Sequence, residues 1–157
     1  SCEAWGVDKI VPRFPLVGAP ETWDVLTLLS ATVFLEAEGE SNEGKTAVAW
    51  VIRNRMDRRK KSVHEVVLAA QQFSCWNVDY RPRADARLST ANGPGLVECW
   101  RAAAGAFWRL LPDPTGGDHY LNVDVVKKSN YRKLPSWFDQ EKVVAVIGNH
   151  TFLALES

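Results

Sequence analysis

The stretch EGKTAVAWVIRNRM, Glu43 to Met56, decides the fold. Its centre, AVAWVI, is apolar nearly all round a helical wheel, the pattern of a helix enclosed on every side. Such a helix needs other elements to enclose it. Upstream, from about Thr22 to Ala37, apolar residues again recur at helical spacing, so these two helices are the expected heart of the domain. Downstream, Ser62 and Glu65 form a capping-box signature for a helix through about Ala70, and Gly95 to Leu111 reads as an amphipathic helix stopped by Pro112. Near the C-terminus, KVVAVI and HTFLAL flank Gly148-Asn149, which predicts an antiparallel hairpin at about 143 to 154. The expected class is α+β, mainly helical, in a single domain with a small C-terminal β-hairpin.

The chain has 157 residues, enough for one domain that buries roughly two thirds of its unfolded surface without metal or disulfide staples. Nineteen basic residues balance nineteen acidic ones, so no global field draws the protein onto nucleic acid or an anionic membrane. The longest apolar stretch, Val25 to Leu35, is too short and too interrupted by Thr and Ser to span a bilayer. Seven Trp is a high count, and a place in the core is the commoner duty of that side chain. Cys2, Cys75 and Cys99 have no metal-ligand spacing; reduced thiols are the ordinary reading and a Cys75–Cys99 bridge the alternative.

Residues 1 to 21, with Pro12, Pro15 and Pro20, read as an extended arm on a body formed by residues 22 to 157. The arm's opening, SCEAWGVDKIVPRFP, lacks a basic region followed by an apolar core, so it does not read as a signal peptide. A leader removed earlier would leave no trace in it. Between Ala70 and Gly95 runs QQFSCWNVDYRPRADARLSTANGP, polar and longer than structureless connections normally are, which marks it as functional or mobile.

Three glutamates crowd LEAEGE, Leu35 to Glu40, where the first apolar run ends. On a helix turning about 100° per residue, Val25, Leu26, Leu28, Leu29 and Val33 fall within about 80° of Glu36, whereas Asp24, Thr27 and Ser30 fall opposite. Glu38 lies about 160° away among the polar positions, and Glu40 follows the helix-terminating Gly39. A carboxyl in an apolar stripe near a helix C-terminus is disfavoured as an anion by desolvation and by the helix dipole. Its raised pKa is the state a general acid needs. From geometry alone, Glu36 serves equally well as a buried structural residue bonded to backbone or paired with Arg53 or Arg55.

Other chemistries have weaker signals. In DPTGGDHYL, Gly116-Gly117 admits close ligand approach but is equally a tight turn. His64, His119 and His150 lack a zinc spacing, so neither a metal nor a cofactor is expected. No G-x-S-x-G elbow is present, and Ser74-Cys75 has no assignable base nearby in sequence. Lys127-Lys128 and MDRRKK read as solvated faces.

In order, FLEAEGE, EGKTAVAWVIRNRM, QQFSCW, DPTGGDHYLN, PSW and VIGNHTF resemble the cell-wall hydrolase family of the spore cortex-lytic enzymes, a pattern shared by phage endolysins. The resemblance covers about residues 25 to 153, and the joint order of six blocks is specific where one block is not. It implies a lysozyme-like α+β domain that cleaves the bond between N-acetylmuramic acid and N-acetylglucosamine as a lytic transglycosylase. Peptidoglycan strands are then the partner, and a monomer is expected. A hydrolytic muramidase is the nearer alternative and a non-catalytic peptidoglycan-binding module the more distant one. The first glutamate of the family's E-A-x-G-E motif, here Glu36, is implied as the catalytic acid, with Glu40 as a possible second carboxylate. The position between Ala37 and Gly39 is usually Arg in the family and is Glu38 here. Gln72, Phe73, Ser74, Asp113, Thr115, Gly116, Gly117 and Tyr120 are implied to line the glycan groove, whereas packing is the expected duty of Trp137, His150 and Phe152. The expected place of action is the bacterial cell wall or periplasm, reached from the cytoplasm of synthesis as a small endolysin is.

Overall fold

The computed structural model describes residue 14 and residues 18–91, 93–128 and 133–156. Helix α1 (Val25–Ala37) begins where the Asp24 side chain accepts from the Thr27 N–H at 3.3 Å, and α2 (Asn42–Arg59) where Ser41 accepts from the Gly44 N–H at 3.1 Å. The expected capping box at Ser62 and Glu65 opens α3 (Val63–Val67), a short helix. Helices α4 (Arg81–Ser89), α5 (Gly93–Phe107) and α6 (Val123–Lys128) complete the helical set. Single 3-10 turns occur at Ser74–Trp76 and Val78–Tyr80.

Two of these elements depart from the sequence expectation. The stretch read as a loop contains α4, because Pro82 sits in its first turn, where a missing N–H costs nothing. Helix α5 stops at Phe107, well before Pro112: Arg109 takes a left-handed conformation (φ 56°), and the chain folds back onto Gly105. A Cβ on Gly105 would stand 2.4 Å from Leu111 Cδ1, so the reversal depends on that glycine and not on the proline.

Helix α1 is packed by α2, α3, α4 and α5, and α2 by α1, α3, α5 and the sheet. Every residue of α1 from Leu28 to Leu35 is buried, including Ser30 and Thr32. The polar side expected around Ser30 is therefore not solvated. Thr32 is satisfied there, its hydroxyl donating to the Leu28 carbonyl at 2.7 Å and accepting from Trp76 Nε1 at 2.9 Å. Trp23, Trp50 and Trp76 are core residues, whereas Trp108 and Trp137 are exposed. Cys75 and Cys99 are free thiols. No helix of the described residues is long and apolar enough to cross a membrane. Of the expected arm, residues 1–13 and 15–17 lie outside the described residues, and Phe14 stacks on Trp100 and packs against Phe34.

The expected hairpin is present as β2 (Val143–Ile147) and β3 (His150–Leu153), and β1 (His119–Leu121) joins it in an antiparallel sheet of order β1-β3-β2. Tyr120 lies opposite Phe152. Asp118, fully buried, ties this sheet to α2. Its Oδ1 accepts from the Leu155 N–H and His119 Nδ1, both at 2.8 Å, and its Oδ2 accepts from the Glu156 N–H and Arg58 Nη1, both at 2.7 Å. Burial alone would raise the pKa of Asp118, but these four donors outweigh it and hold the carboxyl below its ordinary range.

A depressed folded-state pKa gives stability that is complete above the unfolded value, roughly 3.9, and is lost as the pH falls through the folded value. Asp118→Asn is expected to cost about 3 kcal/mol in urea denaturation at pH 7 and to shrink the acid-side loss of stability. A change below about 1 kcal/mol would mean that Asp118 is not the anchor of the sheet.

Candidate active site

Helix α1 carries its first partly exposed side chain beyond Thr27 at Glu36, in its last turn. Two concavities, each of about 210 Å³, meet there. Leu35, Glu36 and Arg87 border both; Ser74, Cys75, Tyr80 and Arg83 complete the first, and Asn122, Asn149 and His150 extend the second. Neither alone reaches the roughly 300 Å³ typical of a small-molecule pocket, and together they form a groove suited to an extended polymer.

Each wall is fixed by bonds to the core. The Phe73–Trp76 wall is held by the Trp76–Thr32 bond, and Arg81 Nε donates to the Trp76 carbonyl at 2.9 Å. Helix α4 is fastened to α1 by Arg87, which donates to the Leu35 carbonyl at 3.0 Å and to Glu38 Oε1 at 3.1 Å. The sheet wall brings Tyr120, whose buried hydroxyl stands near the Glu36 carboxyl without a hydrogen bond of standard geometry. Beneath lies Arg55, 5 % exposed, with its guanidinium 5.3 Å from the centre of the Phe73 ring and its Nε donating to the Asp118 carbonyl at 2.6 Å.

Desolvation raises the pKa of Glu36, opposed by the Tyr120 hydroxyl and by the positive charges of Arg87 and Arg55. The result is a carboxyl that holds its proton above the ordinary range and whose anion, once formed, has nearby positive charge. Burial and the charge of Glu36 push the Cys75 thiol upward, so it stays protonated and is no nucleophile. His150 is buried and lowered in pKa by that burial, with Glu40 opposing; its ring centre is 4.8 Å from that of Tyr120 and its Nδ1 3.5 Å from Glu40 Oε1.

Of the expected site residues, Glu36 and Ser74 border one concavity and the Tyr120 hydroxyl stands near the Glu36 carboxyl, while the others lie around them. Phe73 is buried under Arg55, and Gln72 is exposed. Glu40 accepts from the Asn149 N–H at 3.0 Å and from Asn149 Nδ2 at 3.1 Å, which clamps the hairpin turn to the loop after α1. Gly148, in the left-handed region (φ 57°), leaves room for this clamp, since a Cβ there would stand 2.8 Å from Glu40 Oε1. Asp113 accepts from the Thr115 and Gly116 N–H groups and from Asn54 Nδ2, and Asn54 also donates to the Gly117 carbonyl. The Asp113–Gly117 turn is thereby fixed on α2 and leads directly into β1, which carries Tyr120.

Arg55, which the sequence offers as a partner of Glu36, does act on that carboxyl, whereas Tyr80, Arg83 and Arg87 were not expected as its neighbours. Arg83 and Arg87 were legible in principle: with Ala84 and Leu88 they give two basic positions beside two apolar ones at helical spacing. Asp118, His119 and Glu156 place possible ligand atoms within 4.8 Å of one another, but the Asp118 oxygens already accept four donors and Glu156 holds Arg59 at 2.8 Å. Those residues fit an ion-pair knot better than a metal.

No curated protein and no solved structure matches the chain. The model of the cell wall hydrolase family matches residues 39–153, which include α2, the Phe73–Trp76 turn, α4, the Asp113–Gly117 turn and the whole sheet, and begin three residues after Glu36. The Phe73–Trp76 turn, α4 and the sheet that wall the groove lie within the matched stretch, although the Glu36 carboxyl between them precedes it, and the chain belongs to the cell wall hydrolases of the spore cortex-lytic enzyme type, enzymes that degrade peptidoglycan.

Proposed function

We propose that the enzyme cleaves the glycosidic bond between N-acetylmuramic acid and N-acetylglucosamine as a lytic transglycosylase, in the manner of an endolysin, with Glu36 as its acid and base. The observation that carries this reading is that Glu36 is the one carboxyl of LEAEGE left unengaged at the groove. Glu38 is paired with Arg87 at 3.1 Å, and both Glu40 oxygens are bound by Asn149. A hydrolysing muramidase ordinarily needs a second carboxylate roughly 5 to 9.5 Å away, to act as nucleophile or to activate water. Here the substrate supplies the nucleophile.

Protonated Glu36 gives its proton to the glycosidic oxygen, and the bond from that oxygen to C1 of muramic acid breaks. The Glu36 carboxylate, stabilised by Arg87 and Arg55, then takes the proton of the C6 hydroxyl as O6 closes onto C1. The product is 1,6-anhydromuramic acid, no water is consumed, and Glu36 ends protonated. The high effective molarity of an intramolecular hydroxyl replaces a separately held water. Tyr120 and Ser74 border the reacting sugars, the Asp113–Gly117 turn positions Tyr120, and Glu40 acts by holding the hairpin.

Glu36→Gln is expected to lower the rate on purified sacculi by about 10²- to 10⁴-fold with an unchanged fold, while Glu38→Gln has little effect and Glu40→Gln an intermediate one. Mass spectrometry of the digest is expected to show anhydromuramic ends. Reducing muramic acid ends would establish the muramidase instead, and a protein that sediments with sacculi without releasing fragments would be a binding module.

Because the proton donor must be protonated, kcat/KM is expected to fall as the pH rises through the elevated pKa of Glu36. The Tyr120 hydroxyl opposes that elevation, so Tyr120→Phe is expected to move this limb to higher pH. An unmoved limb would separate Tyr120 from the titration of Glu36.

A further inference from the structure

We propose that the concavity between Tyr80 and Arg87 is the subsite for the muramic acid unit, in which Arg83 and Arg87 bind a carboxylate borne by that sugar. This rests on the glycan-cleaving reading above and extends it to the direction in which the strand lies. The two sugars of the polymer differ in the lactyl ether of muramic acid, which ends either in a free carboxylate or in a stem peptide with carboxylates of its own. A site that tells the sugars apart by charge must therefore present a cation.

The groove presents two: Arg87 borders both concavities, and Arg83 borders only the one beside Tyr80. Arg83 and Arg87 stand four residues apart on α4 and so share a face, while Ala84 and Leu88 between and after them are buried. Arg87 is fixed by its bonds to Leu35 and Glu38, whereas Arg83 is exposed and makes no hydrogen bond or ion pair among the described residues. Their neighbour Arg81 is already used, bound to Glu21 and to the Trp76 carbonyl. Tyr80, 49 % exposed on the same wall, offers an aromatic face to a sugar ring. On the far side of Glu36 the second concavity also touches Arg87, but there Glu38 meets that guanidinium at 3.1 Å and Glu40 adds a further carboxylate beside Asn122, Asn149 and His150, a lining that disfavours another carboxylate and suits an uncharged N-acetylglucosamine. Guanidinium groups bind carboxylates through paired, charge-assisted bonds, which makes the arginine side the favoured seat of the charged sugar.

The test is binding to the Glu36→Gln protein, so that no turnover intervenes. The probes are a muramic-acid-containing tetrasaccharide with free lactyl carboxylates, its methyl ester, and the same sugar carrying stem peptides. The free acid or the peptide-bearing sugar is expected to bind about tenfold more tightly than the ester, with a preference that fades in high salt. Arg83→Gln is expected to abolish the preference with the ester affinity unchanged, and Arg87→Lys, which keeps the charge, to weaken it without unfolding the protein. Whichever sugar shows the Arg83 dependence identifies the lactyl group or the stem as the source of the carboxylate. Equal affinity for acid, peptide-bearing sugar and ester, no binding of any of them, or a preference that survives Arg83→Gln would overturn the proposal. The glycan-cleaving reading fails separately, through undiminished lysis by the Glu36→Gln protein.

Discussion

Everything at the groove depends on the enclosure of α1. Because helices pack it on every side from Leu28 to Leu35, its last turn leaves the core at Glu36, and the carboxyl emerges into partly desolvated surroundings. The same burial that stabilises the fold raises the pKa of that carboxyl. Helix packing and acid strength are in this protein one property read at two places along the helix.

The second requirement is that the sheet be immobile relative to that helix, and α2 provides it. Asn54 holds the Asp113–Gly117 turn, Arg55 holds the Asp118 carbonyl, and Arg58 holds the Asp118 carboxylate and the Gly116 carbonyl at 3.0 Å. Three polar residues within five positions of one helix thus fix the strand that carries Tyr120. From the other end, Glu40 clamps the hairpin turn to the loop after α1, so His150 and Asn149 are registered to Glu36 as well. Groups meant to act within hydrogen-bond range of one another need this kind of support, since small displacements weaken both orientation and electrostatics.

Much of this was legible in the sequence, and the failures have identifiable causes. AVAWVI announced an enclosed helix because no polar arc interrupts it, and Gly148-Asn149 announced the hairpin through the turn geometry that only a few residues adopt. The wheel gave Glu36 an inward-facing place, which agrees with its desolvation, yet it erred in giving α1 a solvated side. Ser30 and Thr32 are buried because the segments that cover them, such as the one bringing Trp76 to Thr32, come from places that no local pattern records. Helix α4 was hidden by Pro82, which reads as a breaker and acts as an initiator. With α4 hidden, Arg83 and Arg87 could not be placed, and the electrostatics of the groove stayed invisible. The Asp113–Gly117 block carried a family signal that sequence could not divide between ligand contact and support; its hydrogen bonds run to α2.

In the proposed reaction, enclosure keeps Glu36 protonated so that it can give its proton to the glycosidic oxygen. A carbon-13 NMR titration of the glutamate side-chain carboxyls reads this proton, with the Glu36 resonance assigned by its disappearance in Glu36→Gln. This resonance is expected to titrate above the ordinary glutamate value, roughly 4.3, while the protein remains folded. Titration at or below that value would contradict the proposed reaction, because a carboxylate already ionised in the free enzyme has no proton to give.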